Sequence, residues 1–474
     1  MTVKLKRHYL NTWLSAKKEN YLAEGDFYQM TGLYPTLDRR ELIRAPDFSA
    51  HKPHSGLTDV EGMFYDAVND RYVLIGQDGS SQLACTYFSA AWSAWGSSQV
   101  LDAGVATLDG YSMRNFFFSH GYLYFLSDAD HMRTDNYATT AGTDWHGLDA
   151  ELTCTLGGRI YSVQDDGKFL RQTTAGGAME THYDTPCGFD RHIWCGGLKD
   201  DLLIVSAMDD GSLRVFRIPA YALTSVRKLD DMAVLYCGST DYPSVGNPFC
   251  IHDNDLYMLS GDLDNPDGTA TRDLLVYTGY RIERVARISD GTASPSSVGL
   301  LTWRGELIYY EFTSTTATFK MLVGNDFIDF AEPSSYTAAP NPLAASLNGN
   351  IVFTGEESST EGVYYLGENA LQDGNVETSW LDGGLPGVKK RLINLSMHIK
   401  DGTSTTVKTL SYKLDDDSAY TQAATETDAT EKLEATSLGL EFYRLRIKAA
   451  IAETSTTADV RLRGISYTYA VGEE

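Results

Sequence analysis

Few of the residues able to do chemistry stand at spacings that would let them act together. The six cysteines (Cys85, Cys154, Cys187, Cys195, Cys237 and Cys250) include no Cys-x-x-Cys pair. Neither a zinc knuckle nor a redox couple is indicated, and buried free thiols are expected. The ten histidines are dispersed, and the closest two, in His51-Lys-Pro-His54, read as part of a linker; no His-Glu-x-x-His helix is present. Asp262-Leu-Asp-Asn-Pro-Asp-Gly268 superficially resembles a calcium loop. Pro266 stands where an oxygen ligand is needed, and Asp273 replaces the bidentate Glu, so a solvated turn is expected. There is no Gly-rich phosphate loop followed by Lys and no Gly-x-Ser-x-Gly elbow. The sequence therefore names no catalytic, cofactor-binding or metal-binding residue.

The bulk properties point to a folded β protein. The 474 residues are 42% hydrophobic and 11% aromatic, enough for a sizeable core and too long for one ordinary domain. With 39 basic against 64 acidic residues the net charge is −25. Loose binding to nucleic acid is disfavoured, because that affinity is built from Lys and Arg on phosphates. Apolar runs such as Asp201–Met208 fall far short of the ~20 residues of a membrane span. The N-terminus has a basic start but no apolar export region, which reads as assembly in the cytosol.

One short pattern, a polar turn followed by three or four apolar or aromatic residues, returns seven times. It begins at Asn69, His120, Gly157, Lys199, Asp253, Arg304 and Asn348, with anchors at Tyr72, Leu123, Ile160, Leu202, Leu256, Leu307 and Ile351. Further strand signals lie before and after most copies, and Asp-Gly turns at Gln77–Gly79, Asp165–Gly167 and Asp209–Gly211 suit hairpins whose central residues take positive φ. About 40 to 50 residues per four-stranded unit is the period of a β-propeller blade. The expected fold is all-β: a propeller over residues 55–372, with seven blades expected and six or eight compatible with the uneven gaps, then an antiparallel β-sandwich over 373–474. In the latter, Phe442–Lys448 reads as a half-buried strand, with Tyr443, Leu445 and Ile447 inward and Arg444, Arg446 and Lys448 outward.

Residues 1–54 form an N-terminal arm and lead-in. The first 50 residues hold eight Lys or Arg (Lys4, Lys6, Arg7, Lys17, Lys18, Arg39, Arg40 and Arg44) against six acids, near +2, which leaves the remainder near −27. Such an arm could dock on the acidic surface of a neighbouring copy or pack on its own propeller. Lys4, Lys6, Arg7, Arg39 and Arg40 are the candidate interface residues on this basis.

Two stretches resemble virion proteins of tailed bacteriophages, in particular propeller-containing nozzle and tail ring proteins. One is the lead-in Gly25–Pro46, ending in a basic-plus-proline turn. The other is Val376-Glu-Thr-Ser-Trp-Leu-Asp-Gly-Gly-Leu-Pro-Gly-Val-Lys-Lys390, followed by paired strands and the closing Arg461-Leu-Arg-Gly-Ile-Ser-Tyr-Thr-Tyr469. Together they cover under a fifth of the chain, and the chain is short for such a nozzle. The resemblance implies a non-enzymatic structural protein of the virion tail, assembled with copies of itself into a cyclic ring, sixfold symmetry being one option, and with other phage tail proteins. It implies no cofactor.

Two rivals remain. Sialidases and polysaccharide lyases also use propellers, since a fold does not fix a function, but no Ser-x-Asp-x-Gly-x-Thr-Trp turn is present and no pair of acids can be singled out. A carbohydrate or host-surface binder is suggested by Ala91-Trp-Ser-Ala-Trp-Gly96, because indole faces stack on sugars. Packing between blades is the weightier reading of Trp92 and Trp95: exposure on a propeller face would favour binding, burial between blades would not.

Overall fold

In the computed structural model the chain is described except for residues 1–2, 11–14, 17–25, 37, 50, 55, 90–94, 106–115, 128–129, 146–149, 165–167, 173–176, 185–188, 209–212, 219–232, 237–245, 261–262, 265–269, 280, 290–295, 332–335, 456–457 and 473–474. The described residues contain strands and turns and no helix, so none could cross a membrane as a helix. The chain divides into two compact units. One comprises Ala50–Ala317 and Ser334–Tyr365; the other comprises Met1–Ser49, Thr318–Pro333 and Leu366–Glu474.

The first unit is a β-propeller. Six antiparallel sheets follow one another, with second strands Arg71–Gln77, Tyr122–Ser127, Arg159–Val163, Asp201–Met208, Asp255–Leu259 and Asn350–Glu357. Between the last two lies a hairpin of Ser297–Trp303 and Glu306–Phe312. Each repeat anchor is the second residue of such a strand, and all seven are buried. The polar turn just before each anchor supplies residues of positive φ: Asp70, His120 with Gly121, Gly157 with Gly158, Lys199, Asp253 with Asn254, Arg304 with Gly305, and Asn348 with Gly349. That handedness matches the right-handed twist of the strands it joins.

The Gln77–Gly79 turn works differently from expectation. Its positive φ falls on Ser81, not Gly79, because the Asp78 carboxylate accepts from Ser80 N and Gln82 N and closes a longer loop. The other two Asp-Gly turns, and most of the Asp262–Gly268 loop, lie outside the described residues.

Apolar faces of successive sheets pack on each other, which a twisted sheet buried on both faces requires. Val73, Ile75 and Leu101 of the first meet Leu123 and Phe125 of the second; Leu152 and Val163 of the third meet Ile204 and Phe216 of the fourth; Leu203 and Val215 of the fourth meet Met258 and Leu275 of the fifth. The sixth closes on the first, where Leu343, Val352 and Val363 pack with Val60, Met63, Tyr72 and Leu74. Closure uses the segment expected to be a linker. Lys52–Pro53 pairs with Thr360–Leu371 through Gly362↔Pro53 and Val363↔Lys52, and His54 N donates to Glu361 O at 3.2 Å. An N-terminal strand thereby completes the last sheet, and the His51–His54 linker reading is corrected.

The second unit gathers both ends of the chain into two large sheets, beside a short parallel pair of Ser15–Ala16 with Asp26–Phe27. In one, Arg461–Gly472 runs against Lys390–Lys400 along one edge and against Val3–Leu10 and Leu42–Arg44 along the other. In the other, Gln29–Thr31, Gly374–Glu377, Leu445–Glu453, Thr406–Leu414 and Thr421–Thr427 follow in order. Leu445, Ile447, Ala449 and Ile451 alternate inward. Tyr443 does not join them. It is exposed and precedes the strand, because Asp415 Oδ1 accepts from both Tyr443 N and Arg444 N at 2.9 Å and turns the chain there.

Candidate assembly surface

The basic N-terminal residues take places along a sheet edge. Val3–Leu10 pairs residue by residue with Arg461–Gly472, from Val3↔Gly472 through Lys6↔Tyr469 and Arg7↔Thr468 to Leu10↔Ile465. His8 fixes the register by stacking on Tyr467 and Tyr469, with ring centroids 5.2 and 5.7 Å away. The same edge continues with Leu42–Arg44, which pairs at Leu42↔Leu462. Immediately before it, Arg39 and Arg40 occupy a tight turn in which Arg39 N donates to Thr36 O and Arg40 N to Asp38 Oδ1. The fold thus places Lys4, Lys6, Arg7, Arg39 and Arg40 along one edge. Lys6, Arg7 and Arg40 are exposed and Arg39 is half-buried; Arg7 Nη2 also reaches Ser466 Oγ at 3.4 Å.

Arg44, counted with these residues in the sequence, has a different role. Its side chain is buried, and its guanidinium donates to the backbone carbonyls of Gln372, Leu371, Ser455, Ala458 and Glu453 at 2.7 to 3.5 Å, with Asp373 at 3.6 Å. Desolvation lowers its pKa, opposed by the nearby carboxylates. A planar fork of five donors suits this task. Lys17 and Lys18 lie outside the described residues.

The segments whose sequence resembles tail proteins meet in the second sheet of the same unit. Within Gly25–Pro46, Gln29–Thr31 pairs with Gly374–Glu377 through Asn375↔Thr31, Val376↔Met30 and Glu377↔Gln29. Gly32 adopts φ 64°, and a Cβ there would stand 2.1 Å from Asp373 O, so only glycine lets the strands approach this closely. Trp380, from the Val376–Lys390 stretch, carries the guanidinium of Arg444 at 4.6 Å and that of Arg446 at 4.7 Å. The second face of Arg446 lies 3.8 Å from the Tyr28 ring centroid. Lys390 Nζ donates to the carbonyls of Leu385, Val388 and Tyr443.

Trp95 sits in the propeller at the seam between first and sixth sheets. It is half-buried, edge-on to Phe88 with centroids 4.4 Å apart and to His54 at 5.9 Å. Packing accounts for this indole. Trp92 lies outside the described residues.

Among the described residues no three His, Cys, Asp or Glu side chains stand together as metal ligands. A cleft of about 120 Å³ beside Lys199, Asp201, Arg217, Asn254 and Asp255 has its guanidinium held by Asp201. The buried His192–Ser206 pair, Nδ1 to Oγ 2.7 Å, has the residue types of a nucleophile and base but no exposure.

Sequence reasoning did not single out Thr421–Thr427. This strand pairs only with Thr406–Leu414 among the described strands and closes the far side of the second sheet. Its mostly exposed Thr, Gln and Glu residues carry no large apolar side chain, so the period-two signal that marks a half-buried strand is missing.

No protein-family model matches the chain, and no curated protein matches it. Solved structures similar to it include U3-55K, at 12% identity and TM-score 0.44, covering 68% of this chain and 98% of that one. The WD40 β-propeller domain of Doa1 is 12% identical with TM-score 0.40, covering 68% and 96%, and a chain of the mitotic checkpoint complex is 11% identical with TM-score 0.41, covering 70% and 95%. Likenesses this remote carry no argument about function.

Proposed function

We propose that the protein is a non-enzymatic structural component of a bacteriophage tail, a nozzle or tail ring protein that assembles with copies of itself. The observation that carries the reading is the pairing of Gln29–Thr31 with Gly374–Glu377. The paired strands of the two stretches that resemble tail proteins stand more than 340 residues apart in sequence, yet they meet in one unit, with the closing Arg461–Tyr469 segment pairing beside the end of the first. A shared constellation, and not two chance likenesses, is what a common architecture would leave.

In this reading the hairpin Ser297–Phe312 holds the seventh blade position of the propeller, and the two sheets of the other unit pack face to face as a β-sandwich. The acidic surface keeps free subunits soluble. Light scattering of the purified chain, with negative-stain imaging, tests the assembly. Closed rings are expected; a salt-indifferent 52.3 kDa monomer at every concentration would overturn it and favour the host-surface or carbohydrate-binding reading.

A further inference from the structure

We infer that the subunits join head to tail by β-strand addition, the basic Val3–Leu10 edge of one copy pairing with the acidic Thr421–Thr427 edge of the next. This rests on the ring reading and names the surfaces that build it. Val3–Leu10 pairs only with Arg461–Gly472, and Thr421–Thr427 only with Thr406–Leu414, among the described strands. Among the described residues each therefore keeps one row of backbone donors and acceptors unpaired, the template for another strand. Their lengths match at eight and seven residues.

Charge selects the pairing. Val3–Leu10 holds Lys4, Lys6 and Arg7 and no acid, while Thr421–Thr427 holds Glu426 and no base; of the flanking charges Asp416 is paired with Arg444 and Asp428 with Lys408, and Asp415, Asp417 and Glu431 outnumber Lys413 and Lys432. Either strand against its own kind would set like charges side by side, and only the mixed pair sets opposite charges across the new ladder. Leu5, 66% exposed, and Tyr9, 38% exposed, lie on one face of the basic strand and would be covered by the incoming chain. Because the two edges are different surfaces of one subunit, the contact is heterologous and propagates until a rotation closes it.

The test uses the full chain. Lys4→Glu with Lys6→Glu is expected to weaken self-association at least tenfold, as is Glu426→Lys with Glu431→Lys, while an equimolar mixture of the two variants regains assembly. Amide hydrogen exchange in the wild-type assembly is expected to slow at both edges relative to dilute subunits. Assembly that persists in both variants, with both edges still exchanging freely, overturns the edge pairing and leaves the ring reading standing. A wild-type chain that never assembles overturns both. Failure of the mixture to recover, when each variant keeps its wild-type circular dichroism, overturns the charge selection.

Discussion

His54 Nε2 stands 3.5 Å from Glu361 Oε2 inside the seam that closes the propeller, with the His54 side chain buried and that of Glu361 mostly so. Asp59, hydrogen-bonded by Asn341 Nδ2, lies close enough to feel Glu361, and burial followed by that repulsion raises its pKa to about 6. The last strand pairing of the propeller is thus made beside a carboxyl, that of Asp59, that resists ionising.

A raised carboxyl pKa stabilises the fold below the unfolded value near 3.8, and that contribution is lost as pH rises through about 6. Urea midpoints of the chain should therefore carry a falling component between about pH 4 and pH 6. Asp59→Asn should remove it; an Asp59→Asn profile parallel to wild type would contradict the assignment.

Glu453 supplies the opposite dependence in the other unit. Although burial opposes it, hydrogen bonds from Ser455 N and from the Thr403, Thr405 and Thr406 hydroxyls hold its pKa down to about 2. Its contribution is present above the unfolded value near 4.5 and lost as pH falls toward 2. Glu453→Gln should lower stability at neutral pH and lose little more on acidification, which thermal melts at pH 7 and pH 3 would read.

Arg44→Ala should cost on the order of 3 kcal/mol or more, since it leaves the carbonyls of Leu371, Gln372, Glu453, Ser455 and Ala458, on two stretches of chain, without this donor. Arg44→Lys should recover only part of this, because an ammonium cannot reproduce the planar fork. Denaturation followed by Trp380 fluorescence provides the measurement; equal stability of Arg44→Ala and wild type would refute the role.

Trp95→Ala should lower stability by about 2 kcal/mol, a discount on full burial because the indole is half-buried. It should leave any glycan or cell-surface binding unchanged. Loss of such binding at wild-type stability would restore Trp95 as a recognition residue.

Periodicity carried most of the propeller's legibility. Tyr72, Leu123, Ile160, Leu202, Leu256, Leu307 and Ile351 could be read as anchors because each copy of the pattern repeats one local event, a positive-φ turn followed by a largely buried strand. Local chemistry recorded in consecutive residues is visible without a fold. Tyr443 misled because alternation continues through it in sequence, whereas Asp415, 28 residues away, turns the backbone there.

The sequence by itself determined the β class, the repeating unit, the acidic balance and the basic start of the chain, since these depend only on composition and neighbours along the chain. Tertiary structure alone decided which strand closes the propeller, that Arg44 is buried while Lys6 stays exposed, and that residues 29–31 meet 374–377. Pairing between distant strands is fixed by backbone hydrogen bonds, which every residue except proline offers alike, so register and partner are settled only when the whole chain has packed.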